Sequence, residues 1–244
     1  CEREAWGLAD RVIAVDQGQA RIVIEQGAEP SRVSVIRNAV DVDAAVGAAL
    51  RWRLRHPSDR LWVCVPRRLA PKNGVENAVT AAAICSDLAI DLLICGEGSE
   101  RERLERTARE VKAPSLVHFL GSVSRALLLP IIHASDAVLI PSVPICGVEE
   151  ATSLAALEAM ALARPVVASN IGGLREIITN EETGVLVEPG CPNAIATSLT
   201  RLATDRLFGE SLGAAGQASV RAQFGVREWI RRHRLLYGGV LDSV

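Results

Sequence analysis

Asp136-Ala-Val-Leu-Ile-Pro-Ser-Val-Pro-Ile-Cys-Gly-Val-Glu-Glu-Ala-Thr-Ser-Leu-Ala-Ala-Leu-Glu-Ala-Met-Ala161 decides how this chain folds. It begins as a short apolar run that stops at Pro141, as a strand buried on both faces does. A loop from Ser142 to Glu150 follows, and a helix opens at Ala151, with Thr152 and Ser153 available as caps and Leu154, Leu157 and Ala161 marking its buried face. A helix start at a strand's carboxyl end offers free backbone N–H groups and the positive end of a dipole, which suits a pyrophosphate. On such a helix Glu150 and Glu158 stand about 12 Å apart along the axis and about 80° apart around it. They cannot work as an adjacent acid/base pair, but they can hold two parts of one elongated ligand.

The same alternation continues outward. Apolar runs at 61–65, 91–95, 116–120, 137–140, 165–169 and 184–187 read as strands, and helical patterns fall at 75–86, 99–112, 124–134, 151–163, 173–179 and 192–204. This predicts an α/β, doubly wound parallel sheet of about six strands with helices on both faces, spanning 61–225, whose ligands belong at the carboxyl ends of its strands. The flanks differ. Residues 1–45 read as a connector with strands at 11–15 and 32–36, residues 46–60 as a polar, Arg-rich linker, and 226–244 as a terminal helix with Trp229, Ile230, Leu235, Leu236 and Tyr237 at helical spacing.

Composition excludes several classes. The chain has 244 residues, 49% of them hydrophobic, and a formal net charge of −2, so it can bury a core and carries no nucleic-acid-binding tract. Arg51-Trp-Arg-Leu-Arg-His56 is short and reads as solvated. The six cysteines show no Cys-x-x-Cys pair, and several lie inside apolar runs, which points to free thiols in a reducing compartment. No apolar stretch reaches the roughly 18 residues that span a bilayer, so the cytoplasm is the expected setting. The opening Cys-Glu-Arg-Glu-Ala, with no initiator Met and no signal peptide, reads as the interior of a larger protein.

Glu150 and Glu158 with Ala-Met-Ala, then Arg164-Pro-Val-Val-Ala-Ser169, Gly172-Gly173-Leu-Arg-Glu176 and Gly184-Val-Leu-Val187, together resemble the C-terminal, donor-binding half of family 4 (group 1) retaining glycosyltransferases of the GT-B fold, a Rossmann-like unit. Ala9–Val15, Val35–Asp41, Arg68–Gly74, Leu93–Gly98 and Val117–Gly121 follow in the family's order, so the resemblance covers almost the whole chain. It implies that Glu150 hydrogen-bonds hydroxyls of the transferred sugar and that Glu158 binds the ribose, with Ala151, Thr152, Ser153 and Leu154 at the helix start beside the donor. Glu149 breaks the eight-residue spacing and is set aside.

Pro66-Arg-Arg-Leu-Ala-Pro-Lys-Asn-Gly74 follows the first strand of the domain, and an Arg with a Lys there can stabilise a leaving diphosphate without a metal. Relatives have Arg-Leu, a few residues, then Lys-Gly. Here a count from Arg68 puts Asn73 where that Lys belongs, whereas Arg67 to Lys72 keeps the five-residue step, so either arginine can partner Lys72, and Arg68 is favoured because it precedes Leu69. Gly96-Glu-Gly98 lacks the third glycine of a dinucleotide loop, since Arg101 stands there. The resemblance places Gly96 and Gly98 beside the nucleotide base, gives His118 and Phe119 backbone contacts to it, and sets Gly172 and Gly173 by the donor sugar. Asp41-Val-Asp43 mimics a metal-binding Asp-x-Asp, but its place in the connector makes Asn38 and Asp41 turn formers and Glu176 structural.

The implied activity is transfer of a hexose from a nucleoside-diphosphate sugar with retained configuration and no metal or other cofactor, in polysaccharide, glycolipid or glycoconjugate synthesis. Glu150, Arg68 and Lys72 would carry the chemistry. The family's acceptor-binding N-terminal domain is represented only by residues 11–15, so the chain is expected to be a donor-binding module, inactive alone, whose full enzyme can sit at the inner face of a membrane. The alternatives are a non-catalytic nucleotide-sugar-binding subunit that needs a partner, and a nucleotide-sugar epimerase of similar fold.

Overall fold

Strands that are apolar on both faces need covering on both, and the chain supplies helices to each side in turn. The computed structural model describes residues 2–51, 59–113, 116–145, 147 and 149–241. The chain opens with α1 (Glu2–Leu8), β1 (Val12–Ala14), α2 (Gln17–Glu25) and β2 (Val33–Val35), and β1 pairs in parallel with β2 as a separate sheet. Then come α3 (Val42–Arg51), β3 (Leu61–Val65), α4 (Val75–Ile84), β4 (Ile90–Cys95), α5 (Arg101–Glu110), β5 (Val117–Gly121) and α6 (Arg125–Ala134). The remainder is β6 (Ala137–Ile140), α7 (Leu154–Ala161), β7 (Val166–Ser169), α8 (Leu174–Ile177), β8 (Val185–Val187), α9 (Pro192–Thr204), α10 (Arg206–Gln223) and α11 (Val226–Leu241).

The main sheet runs β5-β4-β3-β6-β7-β8, with all pairings parallel. Alternate residues of each strand face opposite cores. Cys64, Leu93, Val138, Ile140 and Val166 join one cluster with Ala45 and Ala49 of α3, Ile132 of α6 and Leu157 of α7. Val63, Ile94, Leu139 and Val167 join another with Val79 of α4, Leu104 of α5 and Leu199 of α9. The chain moves outward from β3 to β5 and then returns to place β6 beside β3, so the loops leaving β3 and β6 part in opposite directions and open a crevice at their carboxyl ends. Pairing of Cys64 with Val138 brings Arg67 alongside the Pro141–Ser142 turn.

The doubly wound sheet and its six strands match the expectation, and four helices, α1, α2, α3 and α10, depart from it. The 1–45 connector contains α2, whose N-cap Asp16 accepts a hydrogen bond from the Gln19 backbone N–H at 2.7 Å. The predicted 46–60 linker begins inside α3, where Asp41 accepts from the Ala44 N–H at 3.0 Å and Ala45 and Ala49 are buried. Residues 52–58 of that linker, with the rest of the Arg-rich stretch, lie outside the described residues, as do Cys1, Cys146 and residues 242–244 of the terminal helix. No helix was expected between 205 and 225, because Gly209, Gly213 and Gly216 disfavour one. Those glycines let α10 lie against the backbone near Ala163 and Thr183. Among the described residues Cys64, Cys85, Cys95 and Cys191 are free thiols, and no helix is long and apolar enough to cross a membrane.

Replacing a helical glycine by alanine ordinarily stabilises by about 1 kcal/mol. At Gly213 the added Cβ would stand 2.3 Å from the Ala163 carbonyl oxygen. Gly213→Ala is therefore expected to destabilise by about 1–3 kcal/mol, read as a lower urea midpoint at unchanged m value.

Candidate functional site

The loop after β3 and the loop after β6 meet through Arg67 and Glu150. Arg67 donates through Nη1 to Glu150 Oε1 at 3.0 Å and through Nη2 to Oε2 at 2.8 Å, with side chains only 9% and 14% exposed. Nη2 also donates to Asn73 Oδ1 at 2.5 Å and to Ser142 Oγ at 2.9 Å, and Ser142 Oγ lies 3.3 Å from Glu150 Oε2. Asn73 in turn donates to the Arg68 carbonyl at 2.6 Å, which fixes the tight turn between Arg68 and Gly74. Taking two charges out of water is costly unless both are paired and hydrogen-bonded, and this pair meets that condition except at Arg67 Nε, which is buried and has no partner among the described residues.

Arg68 and Lys72 point the other way. Both are exposed, and among the described residues neither side chain has a hydrogen-bond or ion-pair partner. Arg68 lines a cleft of about 450 Å³ with Cys95, Gly96, Glu97, Gly98, Ser122 and Val123. Gly96 and Gly98 are required here by close approach, since a Cβ on either would fall 2.0 Å from the Arg67 carbonyl oxygen or 2.2 Å from that of Leu69. With no side chain in the way, the β4 loop nests under the β3 loop through hydrogen bonds between Leu69 and Glu97 and between Glu100 and Leu69.

The helix bearing Glu158 starts later than its sequence implies. Ser153, not a residue nearer Glu150, is the N-cap, its Oγ accepting from the Ala156 N–H at 3.4 Å, and α7 begins at Leu154. Ala151 and Thr152 stay outside the helix, because Thr152 Oγ1 donates to the Val15 carbonyl at 2.7 Å and the Thr152 carbonyl accepts from Asn38 Nδ2 at 3.2 Å. Glu150 is thus a loop residue, and the helical reckoning of its offset from Glu158 does not apply. Asn38 is correspondingly a bridge between segments and not a local turn former. Leu154, expected on the buried face, is 52% exposed at the head of α7. The first N–H groups of α7 lie outside the helical ladder, beside the crevice.

Glu158 is buried and accepts from Arg125 Nε at 2.8 Å across the mouth of α6. Ser122 and Val123, which line the cleft, and Arg125, which pairs with Glu158, were not singled out from sequence, since they carry no motif. The His118 side chain is satisfied within the sheet, away from the cleft. Its Nε2 meets Asp91 Oδ1 at 2.9 Å at the opposite, amino-terminal side of the sheet, where Arg60 grips both Asp91 oxygens. Phe119 lies half-buried under the Arg101 guanidinium, 4.8 Å from its ring centroid, and is likewise not in the cleft wall. Gly172 and Gly173 have their N–H groups taken by Glu149 Oε2 and the Glu150 carbonyl, each at 2.8 Å, and pack on the Glu150–Thr152 backbone. Glu176 binds Arg37 through two hydrogen bonds of 3.0 and 2.8 Å and caps the Gln17 N–H at 2.9 Å, pinning the N-terminal unit to α8.

The model of the family described as glycosyl transferases group 1 matches residues 48–219. Over 264 residues the chain is 30% identical to a D-inositol 3-phosphate glycosyltransferase of Thermomonospora curvata, with 100% of this chain and 60% of that protein covered. Sucrose-phosphate synthase of Thermosynechococcus elongatus superposes with a TM-score of 0.84 at 27% identity, covering 100% of this chain and 61% of that one. Anabaena Alr3699/HepE in complex with UDP superposes with a TM-score of 0.85 at 22% identity, covering 98% and 65%. The sheet is accordingly that of one half of a GT-B glycosyltransferase.

Arg60, through its hydrogen bonds, and then His118 hold the Asp91 carboxyl below its usual range, against the opposing effect of burial. A carboxyl depressed in the folded state stabilises fully above its ordinary value of about 3.9 and loses that contribution as pH falls through the depressed one. Asp91→Asn should therefore melt at a lower temperature than the parent at pH 7, with the gap closing as the pH drops below 4, as thermal unfolding followed by circular dichroism at a series of pH values would record.

Proposed function

The chain belongs to the group 1 glycosyl transferases, and from that membership we propose that it is the donor-binding half of a retaining enzyme that moves a hexose from a nucleoside-diphosphate sugar to an acceptor, in polysaccharide, glycolipid or glycoconjugate synthesis. The observation that carries this reading is the crevice between the carboxyl ends of β3 and β6. Glu150 and the start of α7 follow β6, and Arg68 and Lys72, which have no side-chain partner among the described residues, follow β3, next to a cleft edged by Gly96 and Gly98. The chain spans about three fifths of its curated relative, and the acceptor is assigned to a separate domain. The buried free thiols favour a cytoplasmic setting, with the whole enzyme working at the inner face of a membrane.

In this mechanism the nucleoside lies in the cleft, with its ribose hydroxyls on Glu158 in exchange for Arg125. Arg68, Lys72 and the α7 N–H groups stabilise the charge that develops on the leaving diphosphate without a metal. Glu150 orients the sugar so that the acceptor attacks from the face the diphosphate leaves, which retains the anomeric configuration. Uridine is the base to try first, since the Anabaena neighbour was solved with UDP.

Calorimetric titration with UDP and UDP-glucose tests the assignment. Glu158→Gln should weaken both ligands, and Arg68→Ala or Lys72→Ala should each weaken UDP about tenfold, the worth of one charge-assisted contact. Unchanged affinity in the Glu150→Gln and Glu158→Gln variants alike would sink the donor-site reading.

A further inference from the structure

Arg67 stands one residue before the rim cation Arg68, yet the two side chains occupy opposite surroundings. A guanidinium has five N–H donors in a fixed fork, and Arg67 directs both Nη1 and Nη2 at Glu150, Asn73 and Ser142 inside the protein. Its side chain is only 9% exposed, so it offers the crevice far less than the exposed Arg68 does. A carboxylate offers about four acceptor positions, and those of Glu150 are largely spoken for, with Oε1 engaged by Arg67 and Oε2 by both Arg67 and Ser142. One position, on Oε1, remains.

Resting on the donor-site reading above, we infer that Arg67 is a positioning residue that acts only through Glu150. It locks the carboxylate in one rotamer with a single Oε1 acceptor free for one sugar hydroxyl, and it cancels the charge that would otherwise repel the donor diphosphate. The charge of the diphosphate itself then falls to Arg68 and Lys72. Asn73 belongs to the same device. It accepts from Arg67 Nη2 while its own amide holds the Arg68 carbonyl, so it fixes the guanidinium against the loop.

UDP and UDP-glucose, titrated side by side into the parent chain, Arg67→Lys, Glu150→Gln and the double variant Arg67→Met/Glu150→Gln, separate this role from a direct one. The double variant removes both buried charges together and so stays foldable where Arg67→Met alone leaves Glu150 unpaired. Arg67→Lys keeps the charge and loses the fork, and it should weaken UDP-glucose about tenfold. UDP should bind every variant within about twofold of the parent, and the double variant should bind UDP-glucose no worse than Glu150→Gln, the non-additivity of residues that act as one. If UDP itself weakens about tenfold in Arg67→Lys and in the double variant relative to Glu150→Gln, Arg67 touches the diphosphate and the inference is overturned while the donor site stands. If the parent binds neither UDP nor UDP-glucose, nor the ADP and GDP counterparts, the donor-site reading falls and this role with it.

Discussion

The buried ion pair between Arg67 and Glu150 is the contact on which the site depends. It joins loops that leave neighbouring strands in opposite directions, and without it each loop would carry an unpaired charge into a poorly hydrated crevice, at a cost of about 3–5 kcal/mol. Ser142 and Asn73 supply the further hydrogen bonds that make burial tolerable. The glycines at 96 and 98 then let a third loop lie beneath Arg67 and Leu69. Arg68, Lys72 and the rim of the cleft are placed as a consequence of that closure.

The segment from Glu150 to Ser153 is gripped from its other side as well. Thr152 bonds to Val15 and to Asn38, Gly173 bonds to the Glu150 carbonyl, and Glu176 holds Arg37 and Gln17. These contacts explain why the helix starts at Leu154, three residues after the expected opening at Ala151. Backbone groups that would have begun the first turn are committed to the N-terminal unit. They also tie the placement of β1, α2 and β2 to that of the carboxylate, so a shift of that unit would be felt at Glu150.

Burial and polarity divide the remaining ionisable groups by the side of the sheet they occupy. Arg60, Asp91 and His118 form a stabilising cluster at the amino ends of the strands, and the cations of the crevice lie at the carboxyl ends. His118 belongs to the first group although it is only four residues from Ser122, which lines the cleft, because β5 runs between them and carries the chain about 13 Å from the amino toward the carboxyl end of the sheet.

The amino-acid sequence by itself determined the six strands, their parallel doubly wound arrangement and the family, because each depends on local runs: β-branched apolar stretches, helical periodicity between them, and ordered glycines and glutamates that can be read without neighbours. It also brought Glu150, Glu158, Arg67, Arg68 and Lys72 to notice. Only the tertiary structure decided which arginine faces inward, since that turns on the register of β3 against β6 and on Asn73 and Ser142 arriving from elsewhere. The same holds for α10, whose glycines disfavour a helix locally and are repaid by close packing, for Arg125, which reaches Glu158, and for Ser122, which reaches the cleft only through the order of the strands. Local propensity is a property of a few consecutive residues, whereas burial, pairing of charges and the shape of a crevice depend on segments the chain itself places far apart.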